Sequence, residues 1–401
     1  MIRHASLFAV LLAAPVFAQT IPSVGIPDAL DVATWNVENF GNPNGGPSND
    51  ELQLNNVLAV IRQADIDVWA LQEMDFESMF DRLIDSLGTG YDGFWQADET
   101  GFDVGYGYIY KTDVVDPLQI SRILTSSSYE FAFRPPLQMR ANIVLPDTTV
   151  EVRFINVHMK CCWGQEEYDR RVAASGILKN YTDNLQAIGT DVLVLGDFND
   201  ELILSIFQSR TSPYQNFLSD PTYTFVTRFF DDQNPALDIL TFCSNSSCTN
   251  GSVIDHMVAT TTFGNDYVFG SADHFFELIA AIPSYTSTTS DHIPVYSRFD
   301  FQSEPVASEP ESPTLHFTLD AVYPNPFVGQ TTLSYTLDRP GPVHLEVFDS
   351  IGRRVAEVTS VFQHSGTHGV LVEGASLAPG VYIARLTASE QTATLRMVRG
   401  R

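Results

Sequence analysis

Six short segments hold the side chains of this chain that can do chemistry. They are Trp35-Asn36-Val37-Glu38-Asn39, Leu71-Gln72-Glu73, Asn156-Val157-His158, Gly196-Asp197-Phe198-Asn199, Ile254-Asp255-His256 and Ser290-Asp291-His292-Ile293-Pro294. Five of the six end a short apolar run of the kind that forms a buried strand. Strand ends are where a packed sheet presents polar side chains at one rim. Glu73, Asp197, Asn199 and Asp291 are hard oxygen donors with no cysteine among them. Such a set suits Mg²⁺, with Mn²⁺ or Ca²⁺ as alternatives, over structural zinc. His158 and His292 add imidazoles that exchange protons near neutrality. A hard cation beside two imidazoles can hold a phosphate oxygen, neutralise developing charge and help ionise water. The expected chemistry is cleavage of a phosphate ester.

Each residue also has a plainer reading. Glu73 follows Val68-Trp69-Ala70-Leu71, and a glutamate there must be solvated, ion-paired or on a metal. Asp197 and Asn199 follow Val192-Leu193-Val194-Leu195-Gly196. Their i, i+2 spacing at a turn lets a carboxylate and an amide address one point, or merely close an Asx turn. His158 alone is an ordinary strand-end histidine. Asp255 gains meaning as the carboxylate that holds His292 in one tautomer. His256 and His274 are expected to be structural, because side chains alternate across a strand.

The elements that must position these residues alternate along residues 19–301. Strands are expected at Asp31 to Val37, Asp67 to Leu71, Gly105 to Lys111, Ala141 to Leu145, Val150 to Val157 and Asp191 to Leu195. Helices are expected at Glu51 to Arg62, Ser78 to Leu87 and Glu166 to Leu185, where apolar residues recur at helical spacing. Ile239 to Phe242 and Val253 to Ala259 are expected as two arms of a hairpin. This irregular alternation favours an α/β fold of packed sheets flanked by helices. Residues 302–313 hold repeated Glu-Pro and Ser-Pro pairs and form an extended linker. Residues 314–401 carry short alternating strands between turn signals, the pattern of a small all-β sandwich.

The bulk numbers limit the partners. The net charge is −27, and residues 19–303 carry 39 acids against 14 Lys and Arg. A broad basic surface for polyanions is excluded, so any nucleic acid must be gripped locally and through a cation. Residues 1–18 are expected to be a signal peptide, with Arg3 ahead of an apolar Leu7 to Phe17 and a small-residue site before Gln19. That run is shorter than the about 20 residues of a membrane span, and no other stretch is long and apolar enough to span. Four cysteines in an exported chain suggest disulfides. Cys243 and Cys248 form the easiest local pair. A Cys161–Cys162 bridge would be strained, and cross-pairs remain open.

Taken in order, the six segments resemble the endonuclease/exonuclease/phosphatase superfamily, which includes the deoxyribonuclease-I-like enzymes. The likeness spans about residues 31–300, with Gly-Asp-Phe-Asn and Ser-Asp-His-x-Pro-Val its most specific parts. It implies a four-layer α/β sandwich with two mixed central sheets. It further implies Asn36 and Glu73 as a metal-site pair, and Asp291 as a further metal ligand. Asp197 and Asn199 match the pair that orients or deprotonates water. His158 and His292 match the phosphate-binding and acid/base histidines, with Asp255 behind His292. Arg134 looks like a phosphate-contacting arginine of the nuclease branch. Glu38 and Asp75 stand where duplex-cutting relatives often carry basic residues, and Asp103 is the candidate acid behind His158. The C-terminal segment resembles the type A sorting domain of type IX secretion. Tyr323-Pro324-Asn325-Pro326-Phe327, Val347 to Arg353, Leu377 to Tyr382 and the basic end Arg396 to Arg401 carry that likeness.

The sequence thus points to a monomeric, exported, divalent-metal-dependent phosphodiesterase, foremost a nuclease acting on DNA or RNA. Its other expected partner is the secretion machinery. A sphingomyelinase-like or sugar-phosphate esterase would use the same site. A non-catalytic surface module is the reading from another class, and the intact acid and histidine set argues against it.

Overall fold

The computed structural model describes residues 21–99, 104–230, 239–268, 270–301, 317–337, 341–349, 353–363, 366–374, 377–388 and 391–400. The expected signal peptide and the expected linker, with Asp103 and Arg401, lie outside the described residues.

The first unit opens with β1 (Leu30–Asn36), α1 (Asp50–Ala64), β2 (Val68–Gln72), α2 (Glu77–Leu87), β3 (Tyr91–Gln96) and β4 (Tyr106–Lys111). It continues through β5 (Val115–Arg122), β6 (Leu137–Leu145), β7 (Thr148–His158), α3 (Gln165–Gln186) and β8 (Asp191–Asp197). It closes with β9 (Tyr223–Phe225), β10 (Phe242–Cys243), β11 (Gly251–Ser252), β12 (Asp255–Thr260), β13 (Asp273–His274) and β14 (Val295–Phe299). Two six-stranded sheets result, ordered β13-β14-β1-β2-β4-β3 and β5-β6-β7-β8-β12-β9. Both are mixed: β1 and β2 run parallel, as do β7 and β8, and the other pairings are antiparallel.

Strand parity builds the layers. Leu30, Val32, Val68, Ala70, Tyr106 and Tyr108 face Met139, Phe154, Leu193, Leu195 and Met257 across the gap between the sheets. The alternate residues Ala33, Trp35, Trp69 and Leu71 pack outwards on Leu54, Val57, Ile61 and Leu83 of α1 and α2. Ile155, Val157, Val192 and Val194 pack outwards on Ala174, Leu178 and Leu185 of α3. Helix, sheet, sheet, helix is the expected four-layer sandwich.

The same parity aims the chemistry. On β1 the inward series Leu30, Val32, Thr34 ends at Asn36. On β7 it ends at His158, and on β8 at Asp197. All three are buried at the last position of their strand. Just beneath them a buried amide pair ties the sheets together. Gln72 Nε2 donates to Asn156 Oδ1 at 2.7 Å, and Asn156 Nδ2 donates to the Leu71 carbonyl at 3.0 Å. The Tyr106 hydroxyl accepts the His158 N–H at 2.9 Å.

The structure departs from the expected elements in several places. The hairpin of Ile239 to Phe242 with Val253 to Ala259 does not form. Phe242–Cys243 pairs with Gly251–Ser252, and Phe242 also bridges to His292, while Asp255–Thr260 enters the second sheet between β8 and β9. Thr241 Oγ1 accepts the N–H groups of both Ile254 and Asp255, which ends the small ladder there. Asp255 consequently opens its strand rather than ending a run. Because β12 is antiparallel to β8, Asp255 still pairs with Asp197 at the same rim. The strands β3, β5, β9, β13 and β14 were not expected. All but β14 are edges of their sheets, and β3 and β5 are half-exposed and carry no buried alternation; β14 is internal and does alternate, and was missed. Cys243 and Cys248 are disulfide-bonded, as the local spacing suggested, and Cys161 and Cys162 are free.

Gly196 shows why its motif needs glycine. Its φ is +148, and a Cβ there would lie 2.0 Å from the Val157 carbonyl oxygen of the neighbouring strand. Gly196→Ala is expected to destabilise the protein by about 3 kcal/mol. Chemical denaturation of the purified variant measures this, and an unchanged midpoint would refute the steric account.

The C-terminal unit is all-β. It comprises β15 (Phe317–Tyr323), β16 (Gln330–Leu337), β17 (Gly341–Asp349), β18 (Arg354–Gln363), β19 (Gly366–Glu373), β20 (Gly380–Ala388) and β21 (Gln391–Arg399). They form sheets ordered β15-β16-β19 and β18-β17-β20-β21. Leu333, Tyr335 and Val372 of one sheet meet Leu345, Val347, Ala384 and Leu386 of the other. β18 is an edge of the four-stranded sheet. The Tyr-Pro-Asn-Pro-Phe segment is pinned to the last strand: Asn325 Oδ1 accepts the Val398 N–H at 2.7 Å, and Phe327 is buried.

Candidate active site

The loops leaving β1, β2, β7 and β8, with the start of β12 and the turn before β14, meet around one cleft of about 730 Å³. Asn36, Glu73, His158, Asp197, Asn199, Asp291 and His292 all line it. Asp197 is the hub. Its Oδ2 accepts Asn36 Nδ2 at 3.1 Å and lies 3.5 Å from His158 Nε2 and 3.8 Å from His292 Nε2. Its Oδ1 accepts the Asn199 N–H at 2.8 Å. Asn36 turns the same amide nitrogen to Glu73 Oε1 at 3.0 Å, while its Oδ1 accepts the Glu38 N–H. Glu73 Oε1 is 3.7 Å from His158 Nε2.

The second histidine is fixed from every side. His292 Nδ1 lies 2.9 Å from Asp255 Oδ2, so Nε2 is the atom offered to the cleft. Its carbonyl accepts Trp35 Nε1 at 3.2 Å and the Tyr285 hydroxyl at 2.6 Å. Ser290 Oγ donates to the Asn36 carbonyl and accepts the His292 N–H. That serine thereby couples the Ser-Asp-His turn to the end of β1. Asp291 Oδ1 stands 4.0 Å from His292 Nε2. Asp197, Asp255 and His292 can each bring a ligand atom within 4.8 Å of the others. The Asp255–His292 bond uses one atom of each, so the pair acts more naturally as acid and imidazole than as two metal ligands.

Among the described residues six non-glycine residues that line the cleft have positive φ: Glu38 (48°), Asn39 (50°), Glu73 (56°), Cys162 (82°), Asn199 (54°) and Ser209 (50°). Such conformations each cost about 1–3 kcal/mol and gather where a site needs them. Here they are held by bonds such as Asn39 N–H to Glu73 Oε2 at 3.0 Å.

The electrostatics are strained in one sense. Burial and then repulsion from Asp291 push the Glu38 carboxyl up to about 8. Burial lifts Asp197 to about 7, with Asp255 adding to the rise against the pull of His292. Burial lifts Asp291 to about 6, opposed by His292 and helped by Glu73. Burial by itself lowers His292, but Asp255, Asp197 and Asp291 together hold it well above its ordinary value. Burial, then Arg134 and His292, keep His158 well below its ordinary value. A cluster of buried carboxylates that resist ionisation is a donor set that fits a hard divalent cation.

Glu38 is the residue sequence reasoning undervalued. It lines the cleft and its Oε2 accepts the Asp291 N–H at 2.9 Å. Only its place two residues beyond Asn36 signalled it. Asp75 is buried outside the cleft and takes the Asn42 amide. Arg134 does not line the cleft. Its guanidinium donates to the Met159 carbonyl at 2.9 Å, which also accepts Asn199 Nδ2 at 3.1 Å. It therefore sits one carbonyl behind Asn199. His158 Nδ1 has no hydrogen-bond partner among the described residues. His256 is structural as expected, held between Thr227 and the Asp200 carbonyl and packed on Phe198.

Two facing mixed sheets with an acid and histidine centre at one rim define a hydrolase scaffold of the phosphoester-cleaving type. The chain belongs to the Endonuclease/Exonuclease/phosphatase family, whose model matches residues 33–292. Residues 321–399 match the secretion system C-terminal sorting domain, so the protein is exported by type IX secretion to the cell surface or beyond. Among the described residues no helix is long and apolar enough to cross a membrane. No curated protein sequence matches the chain. Solved structures of similar shape include an AP endonuclease from Archaeoglobus fulgidus, with 18% identity, 68% of this chain and 99% of that chain covered, and a TM-score of 0.48. A mannosyl-6-phosphatase from Bacteroides thetaiotaomicron shares 16% identity over 67% of this chain and 98% of its own, with a TM-score of 0.45. TDP2 from Caenorhabditis elegans shares 15% over 68% and 74%, with a TM-score of 0.47. These likenesses are of shape and say nothing of substrate.

Proposed function

We propose that the protein is an exported, divalent-metal-dependent phosphodiesterase whose foremost substrate is extracellular nucleic acid. The meeting of Asn36, Glu73, His158, Asp197 and His292 within ion-pair reach at one rim carries this reading. Glu73, Asp291 and Asn36 would hold Mg²⁺ or a similar cation, which when bound supplies charge neutralisation at the phosphoryl oxygens and acidifies water. The chain's own residues do the rest. Asp197 orients the attacking water and accepts its proton. Asn199 fixes the far side of Asp197 and donates towards phosphate. His292, charged and steered by Asp255, donates from Nε2 to a phosphoryl oxygen. His158, neutral and bridging Glu73 and Asp197, attends the leaving oxygen. Arg134 supports Asn199 through Met159.

Trp163, Leu204, Ile206 and Phe242 add apolar surface to the cleft, and among the described residues no Lys or Arg lines it. That favours a second reading in which the ester belongs to a lipid or sugar phosphate. Incubating the full chain with plasmid, single-stranded DNA, RNA, sphingomyelin and a sugar phosphate, with Mg²⁺ and with chelator, separates the two. Cleavage of lipid or sugar ester with nucleic acid left intact would overturn the first reading. No hydrolysis at all would favour a binding module.

The cation has a stability signature. Glu38, Asp197 and Asp291 bind protons more readily in the fold than in the unfolded chain, because their folded pKa values are raised. Without metal, the contribution of these three groups to stability is therefore greatest at low pH and is lost as pH rises towards about 8. A bound cation offsets the repulsion. Melting curves with chelator are expected to drop between pH 5 and 8, and Mg²⁺ to restore most of the loss at pH 8. Identical curves with and without metal would refute the ligand assignment.

A further inference from the structure

The loop leaving β7 brings Cys161, Cys162 and Trp163 to the wall of the cleft. Its backbone is gripped from beneath. Arg171 on α3 is wholly buried and ion-paired to Asp200 at 2.9 Å. Its Nη1 donates to the carbonyls of Lys160 at 2.8 Å and Cys162 at 2.9 Å. One guanidinium thus anchors the chain on both sides of Cys161. Cys162 has a φ of 82°, outside the regions a side chain ordinarily favours. Adjacent side chains in an extended chain point apart. Here they turn together, and the two sulfurs stand 2.6 Å from one another. That is well inside ordinary contact for unbonded sulfurs and close to the about 2.05 Å of a covalent bond. The remaining cysteines, Cys243 and Cys248, are bonded to each other and offer no other partner. The sorting domain takes the chain to a compartment where disulfides persist.

We propose that Cys161 and Cys162 are joined as a vicinal disulfide in the exported protein, and that the ring so closed fixes the Trp163 wall of the cleft. Trp163 is 80% exposed, a large apolar face held in water by a loop with little packing above it. A ring across one peptide bond removes the freedom of the residue just before it. The bond forms by exchange with a disulfide oxidant, either a protein or a small molecule. The Cys161 thiolate, with Lys160 Nζ 3.7 Å from its sulfur, attacks one oxidant sulfur and releases the other as a thiol. The Cys162 thiolate then attacks Cys161 Sγ and releases the second thiol. The two enzyme thiols give up two protons and two electrons, and the oxidant's disulfide becomes two thiols.

Mass spectrometry decides the bond. The full chain, purified without reductant, is alkylated with iodoacetamide and digested. The peptide holding Cys161 and Cys162 is expected unlabelled and two hydrogens lighter than its reduced form, and doubly labelled after reduction. Two labels on that peptide before reduction, with Cys243 and Cys248 unlabelled, would overturn the proposal. Acrylamide quenching of indole fluorescence tests the second half, since Trp35 and Trp69 are wholly buried, Trp95 is half-buried with its indole N–H on the Met74 carbonyl, and Trp163 is the exposed indole. Quenching is expected to steepen in the Cys161→Ser/Cys162→Ser variant. Equal quenching in variant and oxidised protein would show that the ring does not hold the wall. Neither readout depends on which ester the enzyme cleaves.

Discussion

Asp197→Asn is expected to lower kcat/KM by about 10³–10⁴ while leaving the fold intact. The carboxylate lies within reach of Asn36, His158, His292 and the Asn199 backbone N–H at once. An amide of the same shape keeps the packing and some hydrogen bonds but cannot accept a proton from water. Stability should move the other way. Asp197 is wholly buried and its carboxyl is pushed up to about 7, with Asp255 beside it. At pH 8 in chelator, removing that charge relieves repulsion, so the variant should melt above the parent. A variant that retains activity would remove Asp197 from the mechanism. One that melts lower at pH 8 would refute the account of its burial.

His292 and Asp255 should fail differently. His292→Ala deletes the Nε2 donor and leaves Asp255 and Asp197 facing each other without a cation. A loss of about 10²–10⁴ in kcat is expected, with KM little changed. Asp255→Asn keeps the ring but removes the first of the charges that hold it protonated. A histidine raised by a partner stays charged up to its folded pKa. With the partner gone it discharges at lower pH, so the alkaline limb of the pH–rate profile should shift downwards. An unshifted limb in Asp255→Asn would mean that His292 acts as a neutral group.

Much of this site was legible along the chain. The types and order of Glu73, His158, Asp197, Asn199, Asp291 and His292 pointed to one acid and histidine cluster, and all six line the same cleft. Strand parity explains why. A period of two sends the residue that ends an inward apolar series to the same gap as the series itself. Asn36, His158 and Asp197 were therefore committed to one rim once their strands entered facing sheets. Glu38 was less legible, because its role depends on the Asp291 N–H, which lies 253 positions away. Arg134 carried a motif but points to a backbone carbonyl.

The sequence by itself determined which side chains are available, which strands are buried and which face each strand buries. Those follow from local spacing and the free energy of removing apolar surface from water. The tertiary structure alone decided that β12 enters the second sheet antiparallel to β8, bringing Asp255 to Asp197 from the opposite chain direction. It alone decided that Trp35, Tyr285 and Ser290 would lock His292 in place. Sheet order and cross-sheet packing set such pairings, and no local period in the chain records which distant strand will be a neighbour.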